Sequence, residues 1–398
     1  MSERETILRI AAKGDGVTPS GRHVKGAVPG DTVNAEGIIE RGPHHVDPPC
    51  PHFEQCGGCQ LQQADEQALG DFVTSRVVNA AQGQALSPGT VLPVHLSPPA
   101  SRRRATLHAM RTAKRAVVGF REGGSHRIVD LAECPVLLPE LEGLIEPLRA
   151  LIAAHGGKGA IDVQLAASDQ GLDVALSHFP LEGLAATEGV LEFAQTHGLA
   201  RLSIDQGYGA ETMWEPEPVT VTLSGVPTGL PVGGFLQATR DAEARMIADA
   251  KDWLGEARPV ADLFAGLGTF AFALAEGRKV LAAEADRGAY LACTSAAQQS
   301  GRGVHALHRD LFRNPLQPEE LDRFDAVVLD PPRAGAKAQI EAIAASKVER
   351  VVYVSCNPSS WARDAARLTA AGFRLGQVRP IGQFRWSTHV ELTSVFTR

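Results

Sequence analysis

Asp262-Leu263-Phe264-Ala265-Gly266-Leu267-Gly268 is an apolar strand that runs straight into a glycine-rich turn. Glycine lets the backbone approach a ligand closely, and the loop continues through Thr269-Phe270-Ala271. On both sides of it apolar strands alternate with amphipathic stretches, the pattern of parallel βαβ units in a doubly wound sheet. Strands are expected over 260–264, 279–284, 326–329, 351–355, 372–379 and 390–396, with helices over 241–254, 287–299, 337–345 and 359–371. Ligands of such sheets bind beyond the carboxyl ends of the strands. Phe264, Glu284, Asp330 and Cys356 all fall at or just past such ends.

Glu284, closing the next strand, is placed to accept hydrogen bonds from two ribose hydroxyls, so a nucleoside cofactor is expected. Gly266, Gly268 and Ala271 also satisfy the dinucleotide fingerprint of NAD enzymes, and a turn that serves packing alone is the plainer alternative. No later residues suggest hydride chemistry. The turn Asp330-Pro331-Pro332-Arg333, by contrast, is of the kind that methyltransferases place beside the transferring methyl group. Amino-group methyltransferases carry an aromatic residue in the fourth place, where this chain has Arg333.

Val351-Val-Tyr-Val-Ser-Cys-Asn-Pro358 ends an apolar strand on Cys356. Carbon 5 of a pyrimidine is a poor nucleophile until a thiolate adds to carbon 6, and Cys356 can supply that thiolate. A base must then take the proton from carbon 5. Glu391, in Thr388-His389-Val390-Glu391, is the best placed acid in the remaining sequence, ahead of His389. A buried structural thiol is the competing reading of Cys356.

With these residues in view the chain resembles the RNA uracil-5 methyltransferases, which use S-adenosylmethionine to make 5-methyluridine in ribosomal and transfer RNA. The likeness runs over 234–396, through Phe235-Leu236-Gln237, the glycine turn, the segment from Phe324 to Arg333, Tyr353 to Pro358, and His389-Val390-Glu391. It implies Cys356 as nucleophile, Glu391 as proton acceptor, and Gln237, Phe264, Gly266, Thr269, Glu284, Asp310 and Asp330 around S-adenosyl-L-methionine. The substrate implied is structured RNA, 23S ribosomal RNA foremost. Methylation of tRNA or of a cytosine, and a noncatalytic iron-sulfur RNA-binding assembly factor, are the alternatives.

A chain of 398 residues exceeds what one core usually supports. The expected fold is α/β: residues 227–398 as a Rossmann-like class I methyltransferase domain, 46–226 as a central α+β iron-sulfur and RNA-binding region, and 1–45 as a short β-barrel. The first segment is similar to the TRAM-type barrel, at Gly14-Asp15-Gly16-Val17 and Pro29-Gly30-Asp31-Thr32-Val33. Cys50, Cys56 and Cys59 are spaced Cys-x5-Cys-x2-Cys, with Cys134 far downstream. Four thiolates can hold one [4Fe-4S] cluster, and a four-cysteine zinc site competes on spacing alone. The ribosomal branch that this segment also resembles implies the cluster.

The net charge of −7 argues against nonspecific coating of nucleic acid, which needs lysine and arginine in bulk. A local basic run, Arg102, Arg103, Arg104, Arg111, Lys114, Arg115 and Arg121, reads either as a phosphate-facing ribbon or as a charged strand edge that resists aggregation. No apolar run approaches the roughly 20 residues of a membrane span, and the charged start Met1-Ser2-Glu3-Arg4-Glu5 lacks a secretory core. A cytoplasmic monomer is expected, without membrane partners. Cys293, Trp361 and Trp386 read as core residues, and His44, His45 and His52 as loop residues.

Overall fold

A computed structural model describes residues 4–113 and 115–398. Lys114 of the basic run and the first three residues lie outside the described residues.

The carboxyl-terminal sheet contains β1 (Val260–Leu263), β2 (Val280–Glu284), β3 (Val304–His308), β4 (Ala326–Leu329), β5 (Arg350–Ser355), β6 (Arg374–Gly382) and β7 (Glu391–Thr397). Their spatial order is 3-2-1-4-5-7-6. Pairing is parallel from β3 through β5, while β7 runs antiparallel to both β5 and β6. Every residue of β1 and β4 is buried, which is why they read as unbroken apolar runs. The strand order reverses between β1 and β4, so the crevice at their carboxyl ends is the expected ligand site.

The sheet is therefore mixed rather than wholly parallel. β3 went unforeseen because it is an edge strand with no fully buried residue. Two short strands from an earlier part of the chain, Thr90–Val91 and His95–Leu96, add to the far edge by pairing parallel with β6. The 17-residue helix Glu66–Gln82, capped by Asp65 at its amino end, was also not foreseen. No helix among the described residues is long and apolar enough to cross a membrane.

A second, six-stranded sheet takes the order Ala116–Gly119, Arg104–Arg111, Ile161–Ala167, Leu172–Ser177, Arg201–Asp205 and Ala210–Trp214. One of its pairings is parallel, bridged by the helix Gly183–Thr196. The amino-terminal region is β-rich, but its two-residue strands pair as two separate three-stranded sheets over a small core of Ile7, Val24, Ala27 and Val33.

Arg103, just ahead of the strand Arg104–Arg111, ties the second sheet to the loop and helix that precede β1. Its Nε donates to the Gln237 carbonyl at 2.9 Å, its backbone N–H donates to the Ala238 carbonyl at 2.9 Å, and its guanidinium pairs with Glu243. Arg103 and Glu243 are both buried. Breaking a buried pair by removing one partner strands the other charge and costs about 3–5 kcal/mol. Arg103→Met is thus expected to lower stability by that order in chemical denaturation, and Arg103→Met with Glu243→Met to recover most of the loss.

Candidate active site

At the end of β1 the chain turns through Phe264 with φ +63°, Gly266 with φ +55° and Gly268 with φ +94°. A Cβ on Gly268 would stand 2.8 Å from the Phe272 ring and 3.0 Å from Cys293 Sγ, so only glycine fits there. Glu284, closing β2, braces this turn. One carboxylate oxygen accepts from Gly266 N–H at 2.8 Å, and the other from Ala285 and Asp286 at 2.8 and 2.7 Å. The Phe264 and Phe312 rings meet at 5.3 Å.

Across the crevice, Gln237 Nε2 donates to Asp330 Oδ2 at 2.8 Å, and Gln383 Nε2 donates to Gln237 Oε1 at 3.0 Å. Gln383 Oε1 accepts from Ala238 N–H at 2.9 Å. Asp330 follows β4, Cys356 follows β5 and Glu391 opens β7. These neighbouring strands deliver one acid, one thiol and a second acid to the same end of the sheet.

All of them line one cavity of about 1180 Å3, together with Gln237, Phe264, Gly266, Thr269 and Glu284. Asp310 stands apart from this lining, and its carboxylate accepts from Phe312 and Arg313 N–H at 2.9 and 3.2 Å. Sequence reading missed Gln383, Phe312 and the rim arginines Arg102 and Arg104. Gln383 sits in no motif, and the arginines were seen only as part of a basic run. Arg104 stacks on Phe235 at 4.6 Å and Arg102 on Phe384 at 5.4 Å.

Burial raises Glu391, Asp330 and the Cys356 thiol. Glu391 is lifted to about 7 by desolvation, against the opposing pull of Gln383 and Arg104. Asp330 rises to about 8 through desolvation and the nearby Glu391. The Cys356 thiol is pushed up to about 11 by desolvation, then by Glu391 and Asp330, with Arg333 opposing. Burial and the facing cations Arg333 and Arg102 hold His389 below its usual range. The lost hydration of this cavity therefore favours the neutral form of each of these three groups.

The four amino-terminal cysteines converge. The thiols of Cys50, Cys56 and Cys134 all lie within electrostatic reach of Cys59, which burial pushes up to about 12. All six cysteines are free. Among the described residues, no group of three or more His, Cys, Asp or Glu is arranged to hold a metal ion. Arg102, at the rim of the catalytic cavity, also feels Cys134 and Cys59, so the cysteine group lies directly behind that rim.

The remaining readings are simple. Cys293 and Trp361 are buried core residues, with Trp361 Nε1 donating to Ser394. Trp386 is buried outside the cavity lining, and its carbonyl accepts from Gln60 and Leu61 N–H. His44 pairs with Asp65 and His45 with Asp31, while His52 Nε2 accepts from Ala132 N–H.

The profile of the family described as tRNA (Uracil-5-)-methyltransferase matches residues 305–398. An uncharacterized RNA methyltransferase of Zymomonas mobilis is 48% identical over 394 residues, spanning 98% of this chain and 99% of the relative. The 23S rRNA (uracil(1939)-C(5))-methyltransferase RlmD of Pectobacterium atrosepticum is 32% identical over 374 residues, spanning 90% of this chain and 82% of the relative. The crystal structure of Pyrococcus abyssi tRNA (uracil-54, C5)-methyltransferase with S-adenosyl-L-homocysteine superimposes with a TM-score of 0.75 at 20% identity, covering 99% of this chain and all of that one; it shares the fold. Full-length relatives at this identity, together with the class I sheet order, are decisive: the chain belongs to the S-adenosylmethionine-dependent RNA uracil-5 methyltransferase family.

Proposed function

We propose that this chain methylates carbon 5 of a uridine in 23S ribosomal RNA through a covalent adduct between Cys356 and carbon 6 of the uracil. The observation that carries the reading is that Cys356, Glu391 and Asp330 share one cavity with the glycine turn. The ribosomal substrate follows the Pectobacterium relative, whose name specifies 23S rRNA.

Gln237, Phe264, Gly266, Thr269, Glu284 and Asp330 are the residues that would hold S-adenosylmethionine, whose sulfonium supplies the methyl group when bound. Cys356 adds to carbon 6 as its thiol proton passes to oxygen 4 of the ring, leaving an enol that makes carbon 5 nucleophilic. Asp330, protonated at neutral pH, is suited to donate a hydrogen bond to a uracil carbonyl. As carbon 5 takes the methyl group, oxygen 4 gives its proton to water and the carbonyl returns; Glu391 then takes the carbon 5 proton, the carbon 5–carbon 6 double bond re-forms, and Cys356 leaves as thiolate. A base with a pKa near the working pH is the efficient choice, and burial has brought Glu391 to about 7.

Cys50, Cys56, Cys59 and Cys134 are assigned to a [4Fe-4S] cluster. The four thiols are free and lie within electrostatic reach of Cys59, and four thiolates are a donor set that would hold such a cluster. Methyl transfer needs no electron, so the cluster's role is structural, stiffening the rim at Arg102. Reduced thiols and an RNA substrate suit a cytoplasmic monomer.

RNA bearing 5-fluorouridine at the target should trap the wild-type enzyme covalently, because fluorine replaces the proton that Glu391 removes. Trapping by Cys356→Ala would overturn the nucleophile assignment. Glu391→Ala should accumulate the methylated covalent complex, visible as a protein-RNA band on denaturing gels. Because only ionised Glu391 accepts a proton, adduct breakdown in the wild type should rise about tenfold per pH unit below pH 7 and level off above it; a rate flat from pH 5 to 8 would contradict this. Anaerobically purified protein should contain iron and acid-labile sulfide, and zinc without iron would refute the cluster.

A further inference from the structure

A second cavity lies beside the catalytic one. The strand Arg104–Arg111 alternates strictly, with Ala105, Leu107 and Ala109 buried and the even-numbered residues facing outward. Arg104 and Thr106 line the catalytic cavity, whereas His108 and Met110, farther along the same face, line a separate cavity of about 740 Å3. The divide between them is the cysteine loop and its neighbour. Gly58 and Phe120 face the catalytic side, and Gln55 and Arg121 face the other.

We propose that this second cavity is a subsite for another nucleotide of the RNA strand that delivers the target uridine. The proposal rests on the RNA-methylation reading above and extends it to the path of the strand. Six residues of extended chain, at about 3.3 Å each, put Met110 roughly 20 Å from Arg104. That length spans about six stacked nucleotides at about 3.4 Å each, and fewer when they are splayed. Sequence-specific RNA recognition works on such splayed strands, whose bases enter protein cavities.

The chemistry of the lining suits a nucleotide. Arg115, Arg121 and Arg127 face Glu122 and Asp130, and Asp130 is already paired with Arg115 at 3.2 Å and Arg149 at 3.0 Å. Among the described residues, neither Arg121 nor Arg127 takes part in an ion pair. Both are exposed, as a phosphate-binding guanidinium must be. His108 is held by Asp162 through Nδ1 at 2.6 Å, which turns Nε2 away from that carboxylate. Met110, Val117 and Ile128 give the cavity an apolar wall against which a base or ribose can pack. In a chain of net charge −7, this local excess of cations is not a reflection of the overall balance.

The test uses the full-length protein and ribosomal RNA from cells that lack it. Arg121→Ala with Arg127→Ala is expected to raise Kd and KM for RNA about tenfold while kcat and S-adenosylmethionine binding stay near wild type. The dependence of log K on log salt should flatten by about 1.4, at about 0.7 for each lost phosphate contact on a single strand. A folded double variant with wild-type RNA affinity and salt slope would overturn the proposal. A photo-crosslinking residue in place of Met110, with both arginines intact, should attach within about six nucleotides of the methylated uridine; attachment far from it, or none to bound RNA, would overturn the proposal independently. RNA binding that weakens as stated in the double variant, in a protein that methylates no RNA pool, would sink the methylation reading and uphold the subsite. Methylation with an unchanged KM in the double variant would sink the subsite alone.

Discussion

The hydrogen-bonded line from Gln383 through Gln237 to Asp330 is the constraint on which the site depends. Gln237 receives from Gln383, donates to Asp330, and has its carbonyl held by Arg103 of the other sheet. Each contact removes one choice of amide orientation, and a fully satisfied buried network fixes a single arrangement. Three distant parts of the chain are thereby made to agree on the position of the Asp330 carboxyl. The Cys356 and Glu391 strands follow on one side of it, because β5 pairs with β4 and β7 pairs with β5.

Electrostatics divides the cavity into a floor and a rim. The floor gathers Asp330, Glu391 and Cys356, whose ionised forms are disfavoured by lost hydration, with Glu391 adding repulsion on Asp330 and Cys356. Asp262, fully buried below the turn, is raised well above the ordinary aspartate range by the same cause. The rim carries Arg102, Arg104 and Arg333. Phosphates are attracted to the rim while a neutral base meets a largely uncharged floor, which is how an acidic protein can take a polyanionic substrate.

Much of the carboxyl-terminal fold was legible because β1, β4 and β5 are covered on both faces and so read as continuous apolar runs. β3 was not, since an edge strand with half-exposed residues lacks that signal. The short strands Thr90–Val91 and His95–Leu96 escaped notice because two residues carry no periodicity. At the cavity, Phe264, Glu284, Asp330 and Cys356 were legible as strand-end residues, and Glu391 as an acid left over near the end of the sequence. Gln383 was not, because a lone amide just past a strand is meaningful only through the partners that packing gives it.

The sequence by itself determined the kinds of groups available: a thiol at a strand end, an acid on the last strand, a glycine turn, and four amino-terminal cysteines. Their chemistry follows from residue type and spacing. The tertiary structure alone decided that the thiol, the acid and the turn meet in one cavity, that burial raises both Glu391 and Cys356, and that the outward face of one strand joins two cavities. Proximity and dehydration depend on residues tens or hundreds of positions apart. No local pattern encodes them, because the free energy of a charge is set by what surrounds it after folding.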